Sequence, residues 1–218
     1  MTDGEALVRS VLATPADDAP RLIYADWLDE QGRAEDAEFI RVQVELARLG
    51  FDGAFHTDEH GGLRHVPEHV VRLTERQLEL WYDGFGRPDL PAALENWPIA
   101  PHQVRGPLVR VRRGFVERVS CRCGDFLAVA AELFGRQPVI HVRLVDRQAV
   151  DENTGWGFGW YCAGVWEQLV DDIPPEVWKY LAPDGRPMVH FPTSDEADAA
   201  LGWACVRYGR AKAGLGEK

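Results

Sequence analysis

The sequence predicts an α+β fold: a helical N-terminal half packed on a small mixed β-sheet, with a C-terminal helix that caps the structure. Three observations predict it. Apolar residues recur at helical spacing over residues 1–50, alternate as in strands along residues 108–120, and return to helical spacing after residue 193. Because 45% of the residues are apolar and 27% are charged, the composition is typical of a globular protein.

The N-terminal helices are marked by their end signals. Thr2 and Glu5 form a capping-box pattern, which satisfies two backbone donors at a helix start. The second helix begins at Asp17 or Asp18 and ends at Gly32, a residue type common at helix C-termini. A third helix follows, and its predicted buried residues are Phe39, Ile40, Val44, Leu46 and Leu49.

Residues 51–106 predict a loop, one helix and a Pro-rich connector. The part up to residue 65 is rich in Gly and has little apolar periodicity, and Pro67 begins the helix. Four histidines lie close together here, His56, His60, His65 and His69. Their spacing matches no zinc pattern, so we predict no metal site.

Residues 107–218 predict the mixed α and β region. The stretch "LVRVRRGFVERVS" predicts two strands that meet at a tight turn, Arg113-Gly114. A helix and a third strand follow, so residues 108–146 predict a βαβ-like unit. Thr193 and Glu196 repeat the capping-box pattern before the last helix. We expect residues 1–50, 51–106 and 107–218 to form one compact unit.

Charge and hydropathy exclude several classes of partner. The formal net charge of −11 argues against nonspecific binding of nucleic acid. No stretch approaches the roughly 20 apolar residues that a membrane-spanning helix needs. The N-terminus lacks the basic start and apolar run of a secretory signal. We therefore expect a cytoplasmic protein without a membrane partner, with its four cysteines as free thiols.

Two stretches carry a family resemblance. The first, "DDAPRLIYADWLDEQGRAEDAEFIRVQVELARL", contains Tyr24, Asp26, Trp27 and Phe39, and the second is "RRGFVERVSCRCGDFLAVAAELFGRQPVIHVRLVD". They resemble the repeat-companion domain, a bacterial family, and the segment that often follows it. Members are often found with leucine-rich repeats, so the resemblance implies contacts with other proteins and assigns no catalytic residue. Here "VIHVRL" fits one repeat-like strand, but no second copy follows at a period of about 20–29 residues.

The first motif has a structural and a functional interpretation. In the structural one, which we favour, Tyr24 and Trp27 pack in the core while Asp26, Asp29 and Glu30 are solvated or paired with Arg. In the functional one, the three carboxylates form an acidic docking face.

An arginine stripe is the first candidate binding site. Six Arg face a single Glu between residues 101 and 123, and Arg110 and Arg112 share one side of a predicted strand. The stripe could bind phosphate or an acidic protein surface. Alternatively, it balances residues 1–50, which carry 11 acids against 5 Arg.

A Gly-rich aromatic segment is the second candidate. It contains Trp156, Trp160 and Trp166, which form either an exposed binding loop or part of the core.

The function we predict is that of a noncatalytic protein-interaction or accessory module, with no cofactor and no metal. No nucleophile elbow, phosphate-binding loop, dinucleotide fingerprint or zinc-protease motif occurs in the sequence. One alternative is an enzyme whose Cys, His and Asp residues meet only in space. Another is nucleic-acid binding through the stripe between Arg105 and Arg122.

Overall fold

The computed structural model confirms the α+β class. It describes residues 2–51, 66–91, 94, 99–100, 108–145, 150–151, 156–159, 173, 175–184 and 188–216. Within these residues the helices are α1 (Asp3–Ala13), α2 (Ala19–Glu30), α3 (Ala34–Arg48), α4 (Glu68–Tyr82), α5 (Cys123–Arg136), α6 (Pro175–Leu181) and α7 (Ser194–Lys212). None of these described helices is long and apolar enough to cross a membrane.

The described strands form two sheets. They are β1 (Ile99–Ala100), β2 (Leu108–Arg112), β3 (Phe115–Cys121), β4 (His141–Leu144), β5 (Val150–Asp151), β6 (Trp156–Gly159) and β7 (Met188–Phe191). The first sheet has the order β1-β2-β3-β4, with parallel β1–β2 and β3–β4 pairs. The second has the order β5-β6-β7 and is antiparallel.

Internal contacts divide the chain into two compact units. The first unit consists of Met1–Leu90, Trp97–Glu117 and Arg136–Pro138. The second consists of Pro91–Asn96, Arg118–Gly135 and Val139–Lys218. Each unit therefore combines stretches that are distant in the sequence, and the dividing point within β3 follows Glu117.

The first helix of the first unit begins at the capping box that the sequence predicts. The Thr2 hydroxyl accepts from the Glu5 N–H at 3.3 Å and the Glu5 carboxylate accepts from the Thr2 N–H at 2.8 Å, which confirms the capping box. Asp18 occupies the N-cap of α2, but its side chain makes no capping hydrogen bond. The prediction that Leu49 is buried is wrong, because it lies at the C-cap of α3 and is 40% exposed.

The predicted turn joins β2 to β3. Arg113 and Gly114 have φ angles of 52° and 82°. Positive φ at both central residues is the signature of the two-residue hairpin turn that most often uses Asn-Gly. Arginine is unusual in this left-handed conformation, so its side chain must offset the backbone cost.

A buried amide ties α3 to that turn. The Gly114 N–H donates to Gln43 Oε1 at 2.7 Å, and Gln43 Nε2 donates to Gln77 Oε1 of α4 at 3.2 Å. Gln43 and Gln77 are both 3% exposed. A Cβ at Gly114 would lie 2.4 Å from the Ile40 side chain, so glycine is needed for this approach as well as for its φ.

The second unit contains the predicted βαβ arrangement. β3 and β4 are parallel neighbours, and α5 lies between them in the sequence. α7 packs on β4 so closely that a Cβ at Gly202 would lie 2.5 Å from the Val142 carbonyl oxygen. Thr193 caps α7 by accepting from the Glu196 N–H at 3.2 Å.

Candidate functional site

The aromatic residues of the N-terminal motif pack inside the first unit. The Tyr24 and Trp27 rings are half-buried and stacked, 5.6 Å apart, against the core of α2 and α3. The Tyr24 ring also lies 5.7 Å from Phe115. Phe39 is completely buried and stacks on Trp81 at 5.9 Å. These contacts give the three predicted aromatic residues a packing role.

The carboxylates of the same motif pair within the chain. One guanidinium nitrogen of Arg41 lies 2.7 Å from Asp26 Oδ1 and 2.6 Å from Asp29 Oδ2. The hydrogen bonds to these two carboxylates raise the pKa of Arg41. The pairing favours the structural interpretation of the motif over an acidic docking face.

Four charged residues, Asp18, Arg21, Arg113 and Glu117, form what we call the hairpin ion cluster. Arg113 contacts Asp18 at 3.0 Å and Glu117 at 2.6 Å. Arg21 contacts the same Glu117 oxygen at 2.8 Å, and both of these side chains are completely buried. Arg113 also donates to two backbone carbonyls of the α1–α2 connection. These bonds explain how an arginine holds the strained turn position.

Burial and charge oppose each other in this cluster. Burial is the largest effect on Arg21 and lowers its pKa to about 10, so the guanidinium still carries its charge at neutral pH. Burial also lowers the pKa of Arg113, but hydrogen bonds and charges from Glu117 and Asp18 outweigh it and the pKa is raised. Glu117 therefore lies between two charged guanidinium groups.

The two predicted stripe residues lie on β2. Arg110 is buried, with 5% of its surface exposed, and Arg112 is half-buried. Val109 and Val111, the residues that alternate with them, are also buried. Because Arg110 has little accessible surface, it offers a partner less contact than its strand position predicted.

The aromatic segment falls largely outside the described residues. Trp160 and Trp166 are among the residues that the structure leaves undescribed. Trp156 begins β6, where its backbone pairs with Asp151 and Phe191. The prediction that this segment binds a partner stays a prediction.

A cluster of two aromatic rings and two cations lies on α6 and α7, and we call Lys179, Tyr180, Trp203 and Arg207 the α7 aromatic face. Trp203 is 54% exposed, whereas Tyr180 is buried, with 7% of its surface exposed. The Arg207 guanidinium lies over two rings, 4.7 Å from the centre of Trp203 and 5.3 Å from that of Tyr180. Lys179 Nζ lies 4.8 Å from the Tyr180 ring centre. Of these two rings, that of Trp203 is accessible from outside, and the buried Tyr180 ring lies against the two cations.

The helical repeat explains why two residues of this face lie together on α7. Trp203 and Arg207 are four residues apart, so they lie on the same side of α7. The buried side of α7 includes Ala197, Leu201, Ala204, Cys205 and Tyr208. Sequence analysis did not identify the exposed side. The signal that could have revealed it is a Trp outside the apolar stripe, one turn before an Arg.

The described cysteines are buried in the second unit. Burial raises the pKa of the Cys205 thiol, and the nearby Cys123 and Cys121 raise it further. A thiol with a raised pKa stays protonated and is a poor nucleophile. Within the described part of the chain, no group of three or more His, Cys, Asp or Glu side chains could hold a metal ion.

Comparisons with known proteins found no match. No protein-family model matches the chain, and neither a curated protein nor a solved structure matches it significantly.

Proposed function

We propose that this protein is a noncatalytic protein-interaction or accessory module that contacts its partner through the α7 aromatic face. The exposed indole of Trp203 carries this proposal, because Trp, Tyr and Arg are the residue types that dominate binding energy at protein interfaces. The resemblance of the N-terminal motif to the repeat-companion domain supports the same function. It makes a leucine-rich repeat protein the first partner to test.

The face is held in place before it binds. Arg207 lies between the rings of Trp203 and Tyr180, which restricts the rotamers of the long side chain. A restricted side chain loses less conformational entropy when a partner binds. The two cations, Lys179 and Arg207, favour a partner whose carboxylates flank an apolar contact.

Two described features weigh against the alternative functions. The raised pKa of Cys205 disfavours the thiolate that an enzyme with a Cys, His and Asp site would use. In the arginine stripe, Arg113 binds Asp18 and Glu117, so part of its positive charge is already neutralised within the chain. The attraction between the stripe and the phosphates of a nucleic acid would be weaker, because the charge of Arg113 contributes less to it.

The experiment compares Trp203→Ala with Tyr82→Ala as baits in affinity capture. Tyr82 is 73% exposed on α4 of the first unit, so it controls for the loss of an exposed aromatic ring. A captured protein is then purified and its affinity measured by calorimetry. We expect Trp203→Ala to weaken binding about tenfold or more, and Tyr82→Ala to bind as the unmodified chain does.

Equal affinity of the two variants would contradict the proposed surface. Binding that survives Trp203→Ala and Arg207→Ala together but is lost on Arg112→Ala would assign the partner to the arginine stripe instead. Light scattering on the purified chain distinguishes a second copy of this protein from a different partner.

A further inference from the structure

One face of the β3–β4 pair is polar and basic. The parallel register places Arg118 beside His141 and Ser120 beside Arg143. Since alternate residues of a strand point to the same side, these four side chains share one face, which we call the β3–β4 basic face. On the opposite face every position is buried: Val119, Cys121, Val142 and Leu144.

The β3–β4 basic face, unlike the opposite face, is partly accessible to solvent. His141 and Arg143 are exposed, and Arg118 and Ser120 are half-buried. Nε of Arg118 is buried and makes no hydrogen bond within the described structure. The face therefore offers two guanidinium groups, a hydroxyl and an imidazole to a group that approaches from outside.

The imidazole lies within the field of both guanidinium groups. Although part of its surface is exposed, His141 is partly desolvated by neighbouring protein atoms, which lowers its pKa, and the charges of Arg118 and Arg143 lower it further. The imidazole is therefore neutral at pH 7, and the positive charge of the face comes from the two arginines. An anion between the two guanidinium groups would relieve the repulsion between their charges.

The carboxylate of Asp198 lies near the face. Asp198 of α7 feels the charge of Arg143, which lowers its pKa, while burial and Asp195 raise it to a greater extent. Asp198 thus competes with any external anion for Arg143. Among the described residues, neither Arg118 nor Arg143 forms an ion pair with a carboxylate.

We propose that the β3–β4 basic face binds a compact oxyanion of the phosphate class, either inorganic phosphate or a phosphate monoester, between Arg118 and Arg143. The planar guanidinium forks donate paired hydrogen bonds to phosphate oxygens. The Ser120 hydroxyl and the His141 ring supply further polar contacts to the same group. A net charge of −11 repels a long polyanion more strongly than a single dianion, which favours a compact group over a nucleic-acid strand. This site is independent of the α7 aromatic face.

The first test follows His141 by NMR in the full chain. His141→Gln identifies its resonances among those of the seven histidines. Inorganic phosphate should raise the pKa of His141 by about one unit, because a bound anion favours the charged imidazolium. Sodium chloride at the same ionic strength controls for screening. An unchanged pKa at saturating phosphate would overturn the proposal.

The second test measures phosphate affinity in four variants by calorimetry. Arg118→Gln and Arg143→Gln should each weaken binding about tenfold, since each removes charge-assisted hydrogen bonds. Asp198→Asn should strengthen binding, because it removes the competing carboxylate. Lys212→Gln removes one exposed positive charge elsewhere in the second unit and should leave the affinity unchanged. An equal loss of phosphate affinity in Lys212→Gln would overturn the proposed site and indicate nonspecific electrostatic attraction.

The third test distinguishes the sources of the oxyanion. Phosphoserine and a single-stranded oligonucleotide are each titrated against the phosphate-loaded chain. Competition by phosphoserine at a concentration similar to that of phosphate supports a monoester site. Displacement at much lower oligonucleotide concentrations would overturn the compact-ligand proposal and indicate a nucleic-acid surface.

Discussion

Glu117 and Arg118 are neighbours in β3, yet their surroundings differ sharply. Glu117 is completely buried in the hairpin ion cluster, where it accepts from Arg21 and Arg113. Arg118 belongs to the β3–β4 basic face, where its neighbours are His141 and another arginine. The first site is closed by charges from within its own unit, and the second remains open to an external anion.

This contrast shows that the number of charges in a stretch of sequence does not predict whether those charges are available to a partner. Residues 101–123 carry six Arg and one Glu, but two of these arginines, Arg113 and Arg118, lie in different surroundings. Arg113 meets Asp18, which lies 95 residues away in the sequence. Whether an arginine is neutralised depends on which distant segment the fold brings beside it. The following substitutions test this comparison.

The largest expected effect comes from Glu117→Gln. It removes the negative charge that faces the buried Arg21, and breaking a buried pair in this way typically costs about 3–5 kcal/mol. Urea unfolding measures the loss. Glu68→Gln is the control, because Glu68 and its partner Arg72 are 80% and 71% exposed, and the change should be small. Similar losses in both variants would contradict the special role of the buried carboxylate.

A smaller loss should follow from Gly202→Ala in the second unit. Its Cβ would meet the Val142 carbonyl oxygen at 2.5 Å, so α7 would have to shift away from β4. Overpacking of this kind costs about 1–3 kcal/mol. Gly135→Ala in α5 is the matched control, since its added Cβ would meet no atom within 4 Å beyond the adjacent backbone of its own helix, and a more helix-favouring residue should stabilise the chain slightly. Thermal unfolding of the two variants should therefore shift in opposite directions.

One pair of substitutions compares the two sites directly. Arg113→Gln loses two ion pairs and two hydrogen bonds to backbone carbonyls, and should cost about 1–2 kcal/mol. Arg118→Gln, five residues later, should change the free energy of unfolding by less than about 0.5 kcal/mol. Chemical denaturation of both variants at one pH and salt concentration measures the difference. Equal losses would mean that Arg118 is as fully engaged within the chain as Arg113.

The smallest effect is a pH dependence at the open site. The lowered pKa of His141 means that the unfolded chain takes up a proton there more readily than the folded chain. Stability should therefore fall as the pH drops below about 6.5, the ordinary histidine value. His141→Gln should lose less stability than the unmodified chain between pH 7 and pH 5. Identical pH profiles from denaturant titrations would show that this imidazole contributes nothing.

Local sequence signals located most of the elements. Thr2 with Glu5, Pro67 and Thr193 mark helix starts that the structure confirms. The Arg113-Gly114 turn was also located, because a glycine between two alternating stretches is a local signal. These predictions succeed because capping and turn formation involve residues only two to four positions apart.

The features that sequence analysis missed depend on distant partners. Gln43 and Gln77 occupy positions where a polar residue predicts exposure, yet both are buried because each amide finds a partner on another element. Trp203 is the reverse case, a residue type expected in a core that is 54% exposed on α7. Residue type alone therefore predicts the wrong exposure for these three side chains. The residue that forms a hydrogen bond with a side chain, or buries it, is often distant from it in the sequence.

The sequence by itself determined the α+β class, the helix caps, the hairpin turn and the strand–helix–strand order, since hydrophobic period and short-range hydrogen bonds specify them. Only the tertiary structure decided which charges are closed off and which are accessible. That decision depends on Coulomb energy and desolvation, which vary with distance and burial in three dimensions rather than with separation along the chain. For this reason adjacent residues of β3 can lie in a buried ion cluster and on an open basic face.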